Sequence, residues 1–330
     1  MSDNIDNVVS QHGGNLSLIA QHFPDAPRPF IDLSTGINPY SYPLVSVEGA
    51  VQRLADVTEM ERLRKSAAIY YGADEENINL SAGMQPLMFA LAALRLQKFG
   101  VAKVVILSPT YSEYEKILLA AGHEVLQVET FEELTQGDVA IICNPNNPDG
   151  KIYSPEQIKT LKNNWVIIDE SFADLAPSLT NDYQALTTIK MRSCGKFFGI
   201  AGLRVSSVIA PKEISAWLRV VVGSWPITTD ACLALPEMFE NKAWIEQMRE
   251  RLRQESAIWR EFLAKYFVII GYTSLFTLVE TENVEFWHEK LAKNGILIRK
   301  FAYNKQWLRF GLPNCKDLER VKNAFMKDKI

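Results

Sequence analysis

Between residues 104 and 210 the chain carries four short apolar runs, 104–107, 139–143, 165–168 and 205–210, separated by stretches with helical spacing at 85–99 and 112–121. A strand that reads as a continuous apolar run is buried on both faces, because a strand with one wet face alternates polar and apolar residues. Strand and helix in turn give an α/β architecture: a mostly parallel sheet with helices on both faces. From about residue 230 the pattern changes. A long, charge-laced helical segment runs to about 265. Strands follow near 267–271, 275–280, 296–299 and 307–310, and a last helix at 316–327 carries Leu318, Val321 and Phe325 at helical spacing. That reads as a smaller α+β domain. We therefore expect an N-terminal arm at 1–40 packing with the small domain, a large domain at 41–230 and the small domain at 231–330.

The chain has 330 residues, about twice the usual domain length of ~150, which is ample for a buried core. Hydrophobic residues make up 47% and charged residues 22%, with 17 Gly and 15 Pro, which excludes collagen-like, low-complexity and disordered chains. Lys and Arg number 35 against 39 Asp and Glu and are scattered, so no nucleic-acid partner is indicated. No apolar stretch nears the roughly 18 residues that cross a bilayer. The first 20 residues show no basic start followed by an apolar segment. We expect no membrane partner and a cytoplasmic location. Cys143, Cys194, Cys232 and Cys315 lie far apart with no CxxC pair. They read as buried or half-buried free thiols, not as a disulfide framework or a metal site.

Four segments carry chemistry. In Ser193-Cys-Gly-Lys196, followed by Phe-Phe-Gly-Ile-Ala-Gly-Leu-Arg204, a lysine sits among small and aromatic residues. Desolvation lowers a lysine pKa and leaves more free amine, so Lys196 is a candidate for Schiff-base chemistry; the plain alternative is a loop-edge lysine. The run ending in Asp169 closes a buried strand with a carboxylate, which must be paired or hydrogen-bonded to offset its desolvation. A cationic ring nitrogen is one such partner, and a turn cap is the alternative. Asn144-Pro-Asn-Asn147-Pro-Asp-Gly150 follows the 139–143 strand, and ligands bind at the carboxyl ends of strands in open α/β sheets. Its prolines and glycine would fix the turn so that the Asn147 amide is aimed at a ligand, unless it is a plain surface turn. Ser81-Ala-Gly83-Met84-Gln85 precedes a helical pattern, where glycine lets a phosphate approach free helix N–H groups. With no GxGxxG after a strand and no Walker lysine motif, one phosphate fits better than a dinucleotide or a triphosphate.

Taken together these segments resemble the fold-type I pyridoxal phosphate (PLP) enzymes, the aspartate aminotransferase superfamily, from about residue 10 to 325. The specificity lies in the order: phosphate turn, Pro109-Thr-Tyr111, Asn144–Gly150, Asp169-Glu-Ser-Phe172, Ser193–Lys196 and a late arginine. The resemblance implies a PLP-dependent transferase-like fold with PLP as cofactor. By it, Lys196 carries the cofactor as a Schiff base, Asp169 pairs its ring nitrogen and Asn147 bonds its ring hydroxyl. Tyr111 stacks on the ring face, for which a large flat π-surface suits it. Gly83, Met84, Gln85, Ser193 and Arg204 hold the phosphate. Arg309, in Trp307-Leu-Arg309-Phe, stands where the superfamily keeps its substrate-carboxylate arginine, a planar fork matching a planar anion.

Within the superfamily, His12-Gly-Gly-Asn15 and Ile31-Asp-Leu-Ser-Thr-Gly36-Ile-Asn38-Pro39 resemble the threonine-phosphate decarboxylases of cobalamin biosynthesis. Such lyases convert L-threonine O-3-phosphate to aminopropanol phosphate, and their relatives are histidinol-phosphate aminotransferases. The resemblance thus implies a decarboxylase of a small phosphorylated amino acid working as a homodimer, with an aminotransferase on a phosphorylated amino acid as the alternative. Asn147, His12, Gly36, Arg299 and Arg309 fall on substrate-pocket positions, Arg299 and His12 at the substrate phosphate. Three positions depart from the wider pattern. Phe172 replaces a tyrosine that bonds the cofactor hydroxyl, as it tends to do in the decarboxylases. Gly36 replaces an asparagine some decarboxylases use near the substrate phosphate. A Tyr-Pro pair that reaches the neighbouring subunit's cofactor is absent between Val51 and Tyr71.

Overall fold

The computed structural model describes residues 13–175 and 188–326. They fall into two units. One takes the chain up to Tyr40 together with everything from Met248 onward, and the other runs from Ser41 to Gln247.

The Ser41–Gln247 unit is built on a seven-stranded sheet. Its order is Ile78–Ser81, Ser206–Ile209, Thr188–Ser193, Trp165–Asp169, Val139–Cys143, Lys103–Leu107 and Glu124–Val128. Strands from Lys103 to Ser193 pair in parallel, and Ser206–Ile209 runs antiparallel to both its neighbours. The alternation of each strand explains why the runs read as apolar throughout. Val104, Ile106, Ile141 and Ile167 face one side and pack with Leu87, Leu91, Ile117 and Leu118 of helices Met84–Phe99 and Glu113–Ala120. Val105, Leu107, Ile142 and Ile168 face the other and pack with Phe131, Tyr153 and Ile158. Burying an aliphatic side chain of this size contributes about 1.5–3 kcal/mol. The expected mostly parallel sheet with covered faces is what the chain forms.

Three strands escape the apolar-run reading, each for a physical reason. Glu124–Val128 is a sheet edge with an exposed Glu124 and Gln127, where only one side of the ladder is paired. Ile78–Ser81 buries the polar Asn79 and Ser81. Thr188–Ser193 buries Arg192, a charge that sequence reading assigns to the surface.

In the other unit, a four-stranded antiparallel sheet runs in the order Arg299–Phe301, Asn304–Gly311, Phe276–Glu280, Val268–Tyr272. Separately, Ile31–Asp32 pairs in parallel with Ile296–Leu297. The rings of Trp259, Phe267, Phe310 and Phe325 meet edge-on or tilted at 5.5–6.3 Å to form the core. The helical segment expected to run from 230 to 265 is two helices, Thr229–Glu240 and Lys242–Leu263. Asn241 separates them, its side chain accepting from the Trp244 amide at 3.1 Å. All four cysteines are free. Three are buried, and Cys315, expected to be at least half-buried, is exposed. Among the described residues no helix is long and apolar enough to cross a membrane.

Candidate active site

The carboxyl ends of five strands, Ser81, Leu107, Cys143, Asp169 and Ser193, lie at one edge of the sheet: the last four strands pair in parallel, and the first reaches the same direction through two antiparallel ladders. The antiparallel strand starts at that same edge, so Arg204, two residues before Ser206, arrives there as well. Register makes the convergence concrete. Ser81 and Ser193 both pair with Ser206, and Asp169 lies between Cys143 and Met191. The turns that follow these ends carry Gly83, Tyr111, Asn147 and Lys196, and the chemistry-bearing segments picked out in sequence thereby meet at one rim.

Asp169 is only 4% exposed. Its Oδ1 accepts from the Ser171 amide at 2.8 Å and the Ser171 hydroxyl at 2.5 Å, and its Oδ2 accepts from the Tyr114 hydroxyl. Three donors on one carboxylate offset the cost of burying it. Tyr114, fully buried, meets the Tyr111 ring edge-on at 5.4 Å. The Tyr111 hydroxyl is pushed up to about 12, first by burial and then by the negative charges of Glu113 and Asp169, while Arg204 pulls the other way. The ring intended as a stacking platform is thus within the fields of both the buried acid and the arginine.

Lys196 lies half-buried in the short helix Cys194–Phe197, its Nζ 5.7 Å from the centre of the Phe172 ring. Behind that helix the rings of Phe197 and Phe198 pack on Trp244 at 5.8 and 5.7 Å, and Phe198 on Tyr70 and Phe239 at 5.5 and 5.8 Å. Gly195 has no room for a side chain, since a Cβ there would lie 2.8 Å from the Ala201 Cα. Under the same helix, Arg192 bridges Glu170 at 2.9 Å and Asp174 at 3.1 Å, with the Tyr71 ring 4.7 Å from its guanidinium carbon. Burial alone would push Arg192 down, yet its two carboxylates hold it above the ordinary arginine value. Glu170 is raised because desolvation outweighs its partner.

Gly83 and Arg204 meet at the start of helix Met84–Phe99. Gly83 caps helix Met84–Phe99 with φ 97° and ψ 170°, a region open essentially to glycine alone. A Cβ on it would sit 2.6 Å from Nη2 of Arg204. Arg204 itself holds a left-handed backbone, φ 56°, the one non-glycine residue to do so among those described. Its Nη1 donates to the Ala201 carbonyl at 3.2 Å. A helix N-terminus, bare backbone and an exposed guanidinium therefore share one small space, which is what a phosphate needs. Met84 is half-buried at the helix start, and Ser193 is half-buried where it precedes the lysine helix. The Gln85 side chain instead donates to Glu113 at 3.0 Å.

In the 144–150 loop the first and third residues build the scaffold. Asn144 accepts from the Tyr153 amide at 2.9 Å and donates to its carbonyl at 3.0 Å. Asn146 accepts from the Thr110 hydroxyl at 2.9 Å and donates to the Pro109 carbonyl at 3.0 Å, tying this loop to the one carrying Tyr111. Asn147, the next residue, is half-buried. Sequence reading singled out Asn147 but passed over Asn146, Tyr114, Ser171 and Arg192. The spacing Tyr111-x-x-Tyr114, which faces two aromatics the same way at a helix start, was the signal for one of these.

The remaining candidates lie in the other unit. Arg299 and Arg309 are direct cross-strand partners. Arg309 is 7% exposed, donates from Nη2 to the Ser34 carbonyl at 2.9 Å, and lies 5.0 Å from the Phe276 ring centre. Its pKa is lowered to about 10, by burial first and by Arg299 second. Arg299 is lowered by burial. Like charges placed opposite each other destabilise a sheet, so the pair is a poor choice on structural grounds alone. Ser34 is fixed by Asp32, which accepts from its amide at 2.8 Å and its hydroxyl at 2.6 Å. The Ser34 hydroxyl in turn accepts from the Gly14 amide at 2.8 Å. Gly36 is buried two residues beyond Ser34. His12 lies outside the described residues.

The aminotransferase class I and II family model matches residues 29–325. A threonine-phosphate decarboxylase from Sinorhizobium sp is 33% identical over 331 residues, covering 96% of this chain and 97% of that protein. One from Pseudomonas aeruginosa is 31% identical, covering 92% and 93%. The solved histidinol-phosphate aminotransferase from Clostridium acetobutylicum shares the fold with a TM-score of 0.77 at 24% identity, covering 90% of this chain and 98% of that one. The match spans both units and every strand end at the rim, and the chain belongs to the aminotransferase class I and II family.

Proposed function

We propose that the chain is a PLP-dependent decarboxylase of L-threonine O-3-phosphate, releasing carbon dioxide and aminopropanol phosphate for cobalamin biosynthesis. The observation that carries this reading is identity of 33% and 31%, over nearly the whole chain, to two threonine-phosphate decarboxylases. The donor set at the rim suits the cofactor. The Gly83–Arg204 cradle takes one phosphate, the Tyr111 ring offers a face, Asn147 an amide, Asp169 a buried negative charge and Lys196 an amine. When bound, PLP supplies an electron sink for the bond that breaks at the substrate carbon.

The chain's own groups then have distinct tasks. Asp169 holds a positive charge at the ring nitrogen. Arg204, Gly83, Met84 and Ser193 anchor the phosphate, with the Gln85 backbone amide rather than its side chain available to it. Arg299 and Arg309 take the two anionic groups of the substrate and so set which bond stands perpendicular to the ring, since holding a substrate in one orientation replaces a search over many. Lys196 Nζ delivers a proton to the carbon that the carboxylate leaves. Phe172, buried near Lys196, offers no hydroxyl to the cofactor. We further propose a cytoplasmic homodimer with a small phosphorylated amino acid as substrate, an N-terminal arm at 1–40, a large domain at 41–230 and a small one at 231–330.

The test incubates PLP-loaded protein with L-threonine O-3-phosphate and, separately, with histidinol phosphate plus 2-oxoglutarate. Carbon dioxide stoichiometric with aminopropanol phosphate is the expected result. A keto product without carbon dioxide would replace the decarboxylase by the aminotransferase, and Lys196→Ala must abolish turnover in either case.

A further inference from the structure

Tyr114 was marked by none of the chemistry-bearing segments, yet its hydroxyl holds Oδ2 of Asp169. Its ring is fully buried and braces Tyr111 edge-on at 5.4 Å. One residue at the start of helix Glu113–Ala120 therefore touches both the acid meant for the cofactor's ring nitrogen and the aromatic meant for its face. The two carboxylate oxygens are not treated alike. Oδ1 is committed to a local turn through the Ser171 amide and hydroxyl, donors two residues away in sequence. Oδ2 is the oxygen with a partner from another element, 55 residues away.

We infer that Tyr114 is a positioning residue that sets how strongly Asp169 holds the cofactor ring nitrogen, by sharing Oδ2 with it through a neutral hydroxyl. The inference rests on the PLP reading of the site. A tyrosine suits the task because its proton does not leave. Burial raises its hydroxyl well above the ordinary value, and the nearby Asp169 and Cys143 push the same way. The titratable groups around the carboxylate are Tyr114 and Cys143, with Tyr111 beyond them. Cys143 is itself raised by burial, so no neighbour on these elements changes charge near neutral pH. The Asp169 carboxylate is then shared among three fixed donors, and the ring nitrogen meets an oxygen already engaged by a neutral hydroxyl. Remove the hydroxyl and the same charge concentrates on Oδ2. The ring-nitrogen interaction strengthens, and the added negative field favours the protonated form of the lysine-linked chromophore.

The experiment compares Tyr114→Phe and Tyr114→His with the parent, each loaded with PLP. The readouts are the pH midpoint of the visible absorption band, the PLP dissociation constant and the split of kcat from KM. In Tyr114→Phe the midpoint should rise by about one unit, corresponding to a tenfold change in that equilibrium, with kcat changed more than KM. Tyr114→His, which keeps a ring and a donor, should return the midpoint toward the parent. A purely structural role predicts lower stability with an unmoved midpoint in the fraction that binds PLP, and that result overturns the inference. If Tyr114→Phe fails to fold, Ser171→Ala decides, because it strips a hydroxyl donor from the other oxygen of the same carboxylate: a raised midpoint supports a carboxylate shared among donors, and a midpoint unmoved from the parent overturns the inference. A parent protein that gains no visible band with PLP overturns the functional reading itself, and this inference with it.

Discussion

Gly83→Ala separates the phosphate cradle from the rest of the site. The substitution adds one carbon, and the structure says where it goes: 2.6 Å from Nη2 and 3.4 Å from Cζ of Arg204, on a backbone at φ 97°. Two costs follow. Alanine in this glycine-only region loses about 1–3 kcal/mol of stability wherever the turn is kept. The guanidinium must also withdraw, because a carbon cannot share its space. Withdrawal removes at least one charge-assisted hydrogen bond to a bound phosphate, worth about 1.5–3 kcal/mol, which at 1.4 kcal/mol per decade is roughly a 10- to 100-fold loss of PLP affinity. The control is pyridoxal, which keeps the ring and aldehyde but lacks the phosphate. The assay is a titration of each into parent and variant, followed by the visible band. Affinity for PLP should fall 10- to 100-fold while that for pyridoxal changes by less than about threefold, since the lost interaction is the phosphate's alone. Equal losses for both ligands would mean that the turn collapses rather than the cradle, and an unchanged PLP affinity would mean that Arg204 does not hold the phosphate at all.

Two other perturbations test the charges. Arg192→Met removes the cation buried between Glu170 and Asp174, and breaking such a pair from one side costs about 3–5 kcal/mol; urea unfolding that moves by less than 1 kcal/mol would show that the network contributes little. Arg309, lowered to about 10 from an ordinary 12.5, should lose its proton as pH rises through that value, so binding of L-threonine O-3-phosphate by calorimetry should weaken above about pH 10. Over the window from there to 12.5 the unfolded chain holds a proton that the folded chain has released, so this group's contribution to stability rises with pH rather than falling. Arg299→Met removes both a substrate-binding cation and the second-largest cause of the shift, so affinity should fall at every pH while the midpoint of the remaining loss moves to higher pH, which an unmoved midpoint would contradict.

What was legible in the sequence follows from where each residue's constraint originates. Asp169 and the 139–143 strand could be read because burial on both faces leaves an apolar run, and a run ended by a carboxylate is conspicuous. Lys196 could be read because the glycines around it answer to backbone crowding, as the Gly195–Ala201 contact shows. Arg192 could not. A buried cation is tolerable only when carboxylates meet it, and the two that do, Glu170 and Asp174, come from a turn whose approach is settled by pairing of the 165–169 and 188–193 strands. Tyr114 was hidden for the same reason. A helical tyrosine reads as core, and core it is, except that the sheet order places the end of the 165–169 strand two ladders from the 103–107 strand that leads into its helix. The arginine pair is the intermediate case. Both arginines were marked by resemblance, but only the register that sets them opposite each other shows that Arg299 lowers the pKa of Arg309. Residues whose role depends on a single element are thus visible in one dimension, while those whose role is to couple elements require the ladder. It is among the coupling residues, Tyr114 on Asp169 and Arg299 on Arg309, that the site's electrostatics are set. A substitution at Tyr114 should change pH dependence before it changes affinity, whereas one at Arg299 should change both. A series of such variants whose affinities fall while every pH midpoint stays at the parent value would refute that ordering.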